Sequence, residues 1–432
     1  MSDTTPHTYD VAELDTVLSA DALTALMRST WTWDDRALRR DLAALLVDLD
    51  SARQIAADDD IPASLSDAVQ AQAYGAGSAF VADVLGPKLI ADTGNPLRAR
   101  YLDMALDTTR FAKRAHEAAQ RAVGDTTAYF DSRIRAIEYV PAADWTGLVR
   151  NRGAAGLGDA MRAIGRGVVD SPLFASLGLA WQALDAVTRC EEAARLGQRL
   201  LSGDVVGTLA AAEQTGSWDP ALVRTRAQPT DNGWRLTGEK NYVPAADAAG
   251  VVLVIGRSVA GPSLFAVDAG SAGLVIAPHD VTDSSRPLFG ATFSDTPATL
   301  LGIEGGGGRL MSQLIDRATT ALAAEQVGLI EAAIITLHDG HGDADPRAAD
   351  VAMAHAAAYA SWRHAVSNPS PAASATAHIA CSAAAVRATG IVAEILDLHE
   401  SVASLVRRAQ SASLLFGGPA LSHERLLERL GI

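Results

Sequence analysis

The sequence predicts an α+β protein in which a compact β domain is set between two helical regions. Three observations carry this reading. From Leu209 to Ser258, β-branched residues, Gly, Pro and Asn-Gly replace the alanine-rich helical pattern found on either side. Within that stretch Val223, Thr225 and Ala227 alternate with Arg224, Arg226 and Gln228, the period of a half-buried strand. Val251 to Ile255 is continuously apolar, as suits a strand covered on both faces. Between the two strands, Thr230-Asp231-Asn232-Gly233 reads as a turn, because Asn-Gly tolerates positive φ, and Trp234, Leu236 and Gly238 begin the return strand.

Residues 1–112 are helical in pattern. Ser19 and Asp21 offer N-caps before ALTALMR, and Trp33-Asp34-Asp35 leads into a helix with Leu38, Leu42, Leu45, Leu46 and Leu49 on one face. Ile61-Pro62 ends that helix, and a further apolar run closes near Thr93-Gly94-Asn95-Pro96. Residues 113–202 form a second helical stretch, with a short loop expected over Gly153 to Gly158. Residues 203–303 hold the strands; SLFAVDA, GLVIAPH and GATFS follow the two already named, with turns at Ala269-Gly270 and Ala272-Gly273. Asp283 and Arg286 read as an ion pair pinning a loop. Gly305 to Gly308 lacks the Gly-Lys-Ser/Thr of a phosphate loop and reads as a flexible joint into the helical region 309–432.

Composition narrows the function. The chain has 432 residues, 48% hydrophobic and only 5% aromatic, so alanine does much of the packing and close helix contacts are expected. A net charge of −15 argues against a nucleic-acid partner, which needs clustered Lys and Arg. Cys190 and Cys381 stand far apart in helical context and read as small apolar residues without a disulfide. The polar start lacks an apolar leader core, and no run reaches about 18 apolar residues, so a cytoplasmic protein with no membrane partner is expected. His338, His341, Asp343 and Asp345 fit no established metal spacing, and no metal site is predicted.

Glu213, Asp219, Thr225, Ala227, Gly238 and Lys240 stand, without a gap from Ala211 to Ala227, where the acyl-CoA dehydrogenase family carries Thr-Glu-Pro-x-x-Gly-Ser-Asp, Thr-x-Ala and Gly-x-Lys. Ile164-Gly165-Arg166, Ser171-Pro172-Leu173, Ala324 to Gly328 and the pair Arg407–Arg408 also resemble family segments. The resemblance implies an N-terminal helical domain, a middle β-barrel-like or sandwich domain and a C-terminal four-helix bundle. It implies FAD, with the backbone amides of Ala211, Ala212 and Glu213 at the pyrimidine edge, Ser217 and Trp218 in the following loop, and Tyr242 and Val243 at the next flavin contact. The implied substrate is an acyl thioester, on coenzyme A or a carrier, and the implied assembly is a homodimer or a heteromer with a paralogous subunit.

In that family a carboxylate removes the α-proton of the thioester while flavin takes hydride from the β-carbon. The weakly acidic proton demands a dry slot with hydrogen bonds to the thioester oxygen, and drying raises the carboxylate pKa towards its target. Counting eight residues back from Arg407 lands on His399, with Glu400 one place later; these are the candidate bases. An alternative family position falls at Ala318. Other departures are Ala212, Gln214, Trp218, Tyr242 and Pro244 in place of Thr, Pro, Ser, Trp and Thr, and HDGHGDADPR in place of the arm that reaches a neighbour's FAD. Three readings stay open: an active α,β-dehydrogenase, a non-catalytic partner subunit of a heteromeric enzyme, and a flavoenzyme doing cyclisation or hydroxylation.

Overall fold

The computed structural model describes residues 15–59, 61–91, 145–340 and 345–432, with Lys113 and Glu117. The expected helix stop at Thr93 to Pro96 lies outside the described residues, as do His341 and Asp343.

Local sequence sets the first helices. Ser19 caps α1 (Ala20–Ser29), its hydroxyl accepting from Ala22 N–H at 3.2 Å. Asp35 caps α2 (Arg36–Ala56), its carboxylate accepting from the N–H groups of Ala37 and Leu38. Leu42, Leu45, Leu46 and Leu49 are buried along α2, and Pro62 sits at the start of α3 (Ala63–Leu85). The expected loop at Gly153 is instead a kink inside one helix, α4 (Trp145–Gly167), where Gly153 takes a φ of 56°. Phe174–Trp181 follows as a wide π-helical segment, then α5 (Glu191–Ser202).

Seven strands come next: β1 (Gly207–Ala210), β2 (Arg226–Thr230), β3 (Gly233–Pro244), β4 (Val251–Ser258), β5 (Gly261–Asp268), β6 (Leu274–Pro278) and β7 (Leu288–Leu301). β2 and β3 form the hairpin expected at Asn-Gly, with Thr230 opposite Gly233. β3 pairs with β7, β7 with β5, β5 with β4, and β4 with β2 through Arg226 and Arg257, so the sheet closes on itself. β1 lies parallel to β4, and β6 is antiparallel to β7. Val252 and Val254 of β4 enter the core inside this closed sheet with Leu236, Phe265 and Phe293. Val251, Leu253 and Ile255 face the other way, into a core shared with the helices. The apolar run of β4 is therefore buried on both faces, as its sequence requires.

The chain then returns to helix: α6 (Gly307–Asp339), α7 (Ala348–Ser367), α8 (Pro371–Leu396), α9 (Glu400–Leu414) and α10 (Pro419–Leu430). The glycine run differs from a simple joint. Gly307 already belongs to α6, and a Cβ there would stand 2.7 Å from the Pro262 backbone, so glycine lets the helix start against β5. α4 and α6 cross at Gly165 and Gly328; a Cβ on either would overlap the backbone carbonyl of the facing helix, at Glu325 and Arg162. One core joins α4, the π-helical segment, α5, the outer sheet face and α6–α9. A second joins α1, α2 and α3 to α7, α8 and α10.

α6 and α8 are each long and apolar enough, by length and composition alone, to cross a membrane. Of the apolar window in α6 78% is buried inside the fold, but of that in α8 only 44%.

Candidate functional site

The loop between β1 and β2 is fixed to β3 by one carboxylate. Glu213 Oε1 accepts from Arg224 N–H at 2.9 Å, Thr225 N–H at 2.8 Å, Thr225 Oγ1 at 2.9 Å and Lys240 Nζ at 2.9 Å. Lys240 is fully buried and also donates to the Ala211 carbonyl at 2.9 Å. Burial pushes its ammonium down to about 8, against the pull of Glu213. Burial pushes the Glu213 carboxyl up, but the Thr225 N–H, the Lys240 charge and the Arg224 N–H outweigh it and hold the carboxyl below its ordinary range. Asn241 N–H donates to the Ala212 carbonyl at 3.0 Å, closing the junction.

This arrangement leaves donors unused. Among the described residues, the N–H groups of Ala212 and Glu213 have no protein acceptor. Ala212 is buried, so an unpaired amide there is costly unless a ligand meets it. Just beyond, the β3–β7 register slips between Lys240 and Val243, and Tyr242 takes a φ of 57°. A non-glycine residue in the left-handed region is strained, and such strain gathers at functional sites. The bulge leaves the Tyr242 ring half-exposed beside His279, with ring centroids 5.5 Å apart, and turns Val243 into the sheet core.

The other implied contacts separate. Ser217 stays in the loop, its hydroxyl accepting from Asp219 N–H at 3.1 Å. Trp218 turns inward, 7% exposed, and meets Phe416 edge-on with centroids 4.8 Å apart. Its ring is part of the helical core rather than an open face.

Across from Pro244 lies a buried charge cluster that sequence reasoning missed. Arg286 pairs with Glu325 of α6 rather than with Asp283. Arg408 of α9 donates to Glu325 through Nε at 2.7 Å and to the Ser285 carbonyl through Nη1. Asp283 instead accepts from Ser285 N–H at 3.1 Å. Burial pushes the Glu325 carboxyl up, but the two guanidinium groups outweigh it and hold it ionised. Between Phe174, Pro244, Arg286 and Arg408 remains a cavity of only about 20 Å3, room for about one water. A second buried carboxylate, Glu331, pairs with Arg162 and receives His355 Nε2 at 3.2 Å. The available signal was a charged residue inside an otherwise Ala-, Leu- and Ile-rich helix.

Glu400 stands in the first turn of α9 with its side chain 83% exposed and ion-paired to Arg407. His399 precedes it, exposed, its Nδ1 3.2 Å from the Asp397 carbonyl. The structure thus parts the basic pair: Arg407 holds Glu400 at the surface, and Arg408 holds Glu325 in the core. Neither candidate base lines the small cavity beside Pro244. Among the described residues no group of three or more His, Cys, Asp or Glu is placed to hold a metal; Asp345 is occupied by Arg347 at 2.9 Å.

No family model matches the chain. One curated protein does, the acyl-[acyl-carrier-protein] dehydrogenase MbtN of Mycolicibacterium paratuberculosis, 30% identical over 134 residues. That match spans 31% of this chain and a third (33%) of the relative's length. Solved structures match more of the chain. The electron transferring flavoprotein of Acidaminococcus fermentans superposes with a TM-score of 0.62 at 18% identity, over 72% of this chain and 97% of that one. Butyryl-CoA dehydrogenase from Megasphaera elsdenii gives 0.60 at 19% identity, over 73% and 90%. Glutaryl-CoA dehydrogenase from Mycobacterium smegmatis gives 0.60 at 15% identity, over 73% and 94%. With the closed sheet lying between helices and the Glu213–Lys240 junction in place, the chain has the acyl-CoA dehydrogenase fold.

Proposed function

We propose that this chain is an FAD-binding flavoprotein of acyl-CoA dehydrogenase type that acts on an acyl thioester. The observation that carries the reading is the pair of unused amides at Ala212 and Glu213, held by the Lys240 junction beside the strained bulge at Tyr242. They suit the acceptor-rich edge of a flavin, and FAD when bound supplies the hydride acceptor. Ala211, Ala212 and Glu213 would then hold its pyrimidine edge, Ser217 flank it in the loop, and Tyr242 and Val243 border it from the bulge, while the Trp218 ring backs the loop from the helical core. The layout that goes with this reading is a helical extension and the start of the N-terminal domain over 1–112, the N-terminal helical domain over 113–202, a β domain over 203–303 and a helical bundle over 309–432. Coenzyme A and an acyl carrier protein are both thioester carriers open to it, the second supported by the name of the curated relative. A homodimer or a heteromer completes the proposal.

Glu400 and His399 are the proton acceptors available to this mechanism. For Glu400 to serve, its carboxylate must leave Arg407 and the solvent for the dry slot that the reaction needs. The Arg286–Glu325–Arg408 cluster and the cavity of about 20 Å3 favour a second reading, that of a partner subunit whose own acyl site is closed. The deciding experiment is the absorbance spectrum of the purified chain, followed by anaerobic addition of an acyl-CoA or acyl carrier protein. Flavin absorbance that bleaches, and fails to bleach in Glu400→Gln, supports the dehydrogenase. Absorbance gained only with a co-expressed paralogue supports the partner subunit. A protein that binds no flavin under either condition refutes both.

A further inference from the structure

A second cavity among the described residues shares no lining residue with the Glu213 junction. It measures about 710 Å3, is framed by α2, α3, α7, α8, α9 and α10, and falls within the range of roughly 300–1,000 Å3 typical of ligand pockets. Its wall is mostly apolar, with Val47, Val69, Met353, Ile379, Val386 and Leu414. Val386 of α8 is 36% exposed and Leu414 at the end of α9 58%, so the apolar wall is open on this side. A hydrophobic wall of this extent at the junction of two cores is unusual without an occupant.

A second observation gives the occupant a polar group. His378 lines the cavity, is 3% exposed, and its Nδ1 is buried with no hydrogen-bond partner. Burial pushes its imidazole down to about 4, so it is neutral and offers one donor and one acceptor. The charged wall residues carry both signs. Asp48 lines the cavity and keeps accessible surface there, yet burial pushes its carboxyl up to about 6. Arg387 is already paired with Asp350 at 3.2 Å, and burial, with Arg40 adding to it, pushes the His423 imidazole down. An anionic ligand would meet Asp48 and a cationic one Arg387, so an uncharged ligand fits best.

We propose that this cavity binds a lipophilic alcohol, its chain against α8 and its hydroxyl at His378. The site is independent of any flavin and of the proposed function. The test is isothermal titration of the full chain, stripped of lipid on hydrophobic resin, with 1-decanol, decane, decanoate and decylamine. Saturable binding of 1-decanol at one site is expected, tighter than that of the other three. Ala383→Trp, which adds bulk at the cavity wall, should weaken it more than about tenfold. His378→Phe should weaken 1-decanol about fivefold, as the loss of one hydrogen bond predicts, and leave decane unchanged. Absence of saturable binding overturns the proposal, as does equal affinity in Ala383→Trp or tighter binding of decanoate or decylamine. The His378→Phe variant keeps the test decisive if Ala383→Trp fails to fold.

Discussion

Replacing Lys240 by Met isolates what the buried junction contributes. The ammonium is fully buried and makes two hydrogen bonds, to Glu213 and to the Ala211 carbonyl, each 2.9 Å. Removing one partner of a buried ion pair costs roughly 3–5 kcal/mol, because the other charge stays behind without compensation. Here Glu213 keeps the Arg224 and Thr225 N–H groups and the Thr225 hydroxyl, and its side chain is 17% exposed. The lower end of the range therefore applies, about 3 kcal/mol, or a factor of about a hundred in the folding equilibrium. Glu213→Gln should cost a similar amount, and the double variant less than the sum by about 2 kcal/mol, since the two share one interaction. Urea unfolding followed by circular dichroism measures all three. The pH dependence adds a sign. The folded pKa of Lys240, about 8, lies below its ordinary 10.5, so between these values the folded chain binds fewer protons than the unfolded one. Wild-type stability should gain on Lys240→Met as pH rises through that window. A loss below about 0.5 kcal/mol at pH 7, or a gap that narrows with rising pH, would refute the reasoning.

Four further outcomes follow from the packing. Gly165→Ala forces a Cβ into the Glu325 carbonyl and should destabilise by about 3 kcal/mol in thermal unfolding, whereas Gly75→Ala, with open space around it, should stabilise by up to about 1 kcal/mol. Trp218→Ala removes the edge contact with Phe416 from the helical core and should cost about 3–5 kcal/mol; a change under about 1 kcal/mol would place the ring outside that core. Glu400→Gln breaks only an exposed ion pair and should change stability by less than about 0.5 kcal/mol in urea, whatever it does to activity. His378 has a folded pKa of about 4 against an ordinary 6.5, so its contribution is lost as pH falls through that window; stability curves of wild type and His378→Phe should converge towards pH 4 and separate towards pH 6.5.

Much of the fold was legible because local rules and burial agree. Asn-Gly gave the β2–β3 hairpin, and the unbroken Val251 to Ile255 run gave a strand with a core on each side. Ser19 and Asp35 cap their helices as their sequence context requires. The glycine run misled, because flexibility and close approach ask for the same residue; only the nearness of Pro262 to Gly307 separates them. The site was less legible. The positions of Glu213 and Lys240 were marked by family resemblance, but that one carboxylate oxygen gathers four donors is a property of the folded loop. Trp218 was placed beside a cofactor by its neighbours in sequence, and an aromatic ring with apolar core within reach turned inward instead. Glu325 and Glu331 were overlooked because a buried carboxylate reads like any helix carboxylate until its partners, from α4, α7, α9 and the β6–β7 loop, are brought to it.

Those two carboxylates bear directly on whether the chain can do acid–base chemistry. At about 100° per residue, positions six apart on α6 face different sides of the helix. Glu325 therefore looks towards Arg286 and Arg408, and Glu331 towards Arg162, Arg166 and His355. Each is held ionised by more than one cation, and a carboxylate so neutralised is a poor proton acceptor. A buried ion cluster adds little stability beyond what apolar packing of the same volume would give. What it does here is geometric: it ties the Ser285–Pro287 loop to α6 and α9 and so closes the space beside Pro244. Entry of a ligand there would require Arg286 to leave Glu325, which Arg408 would still neutralise.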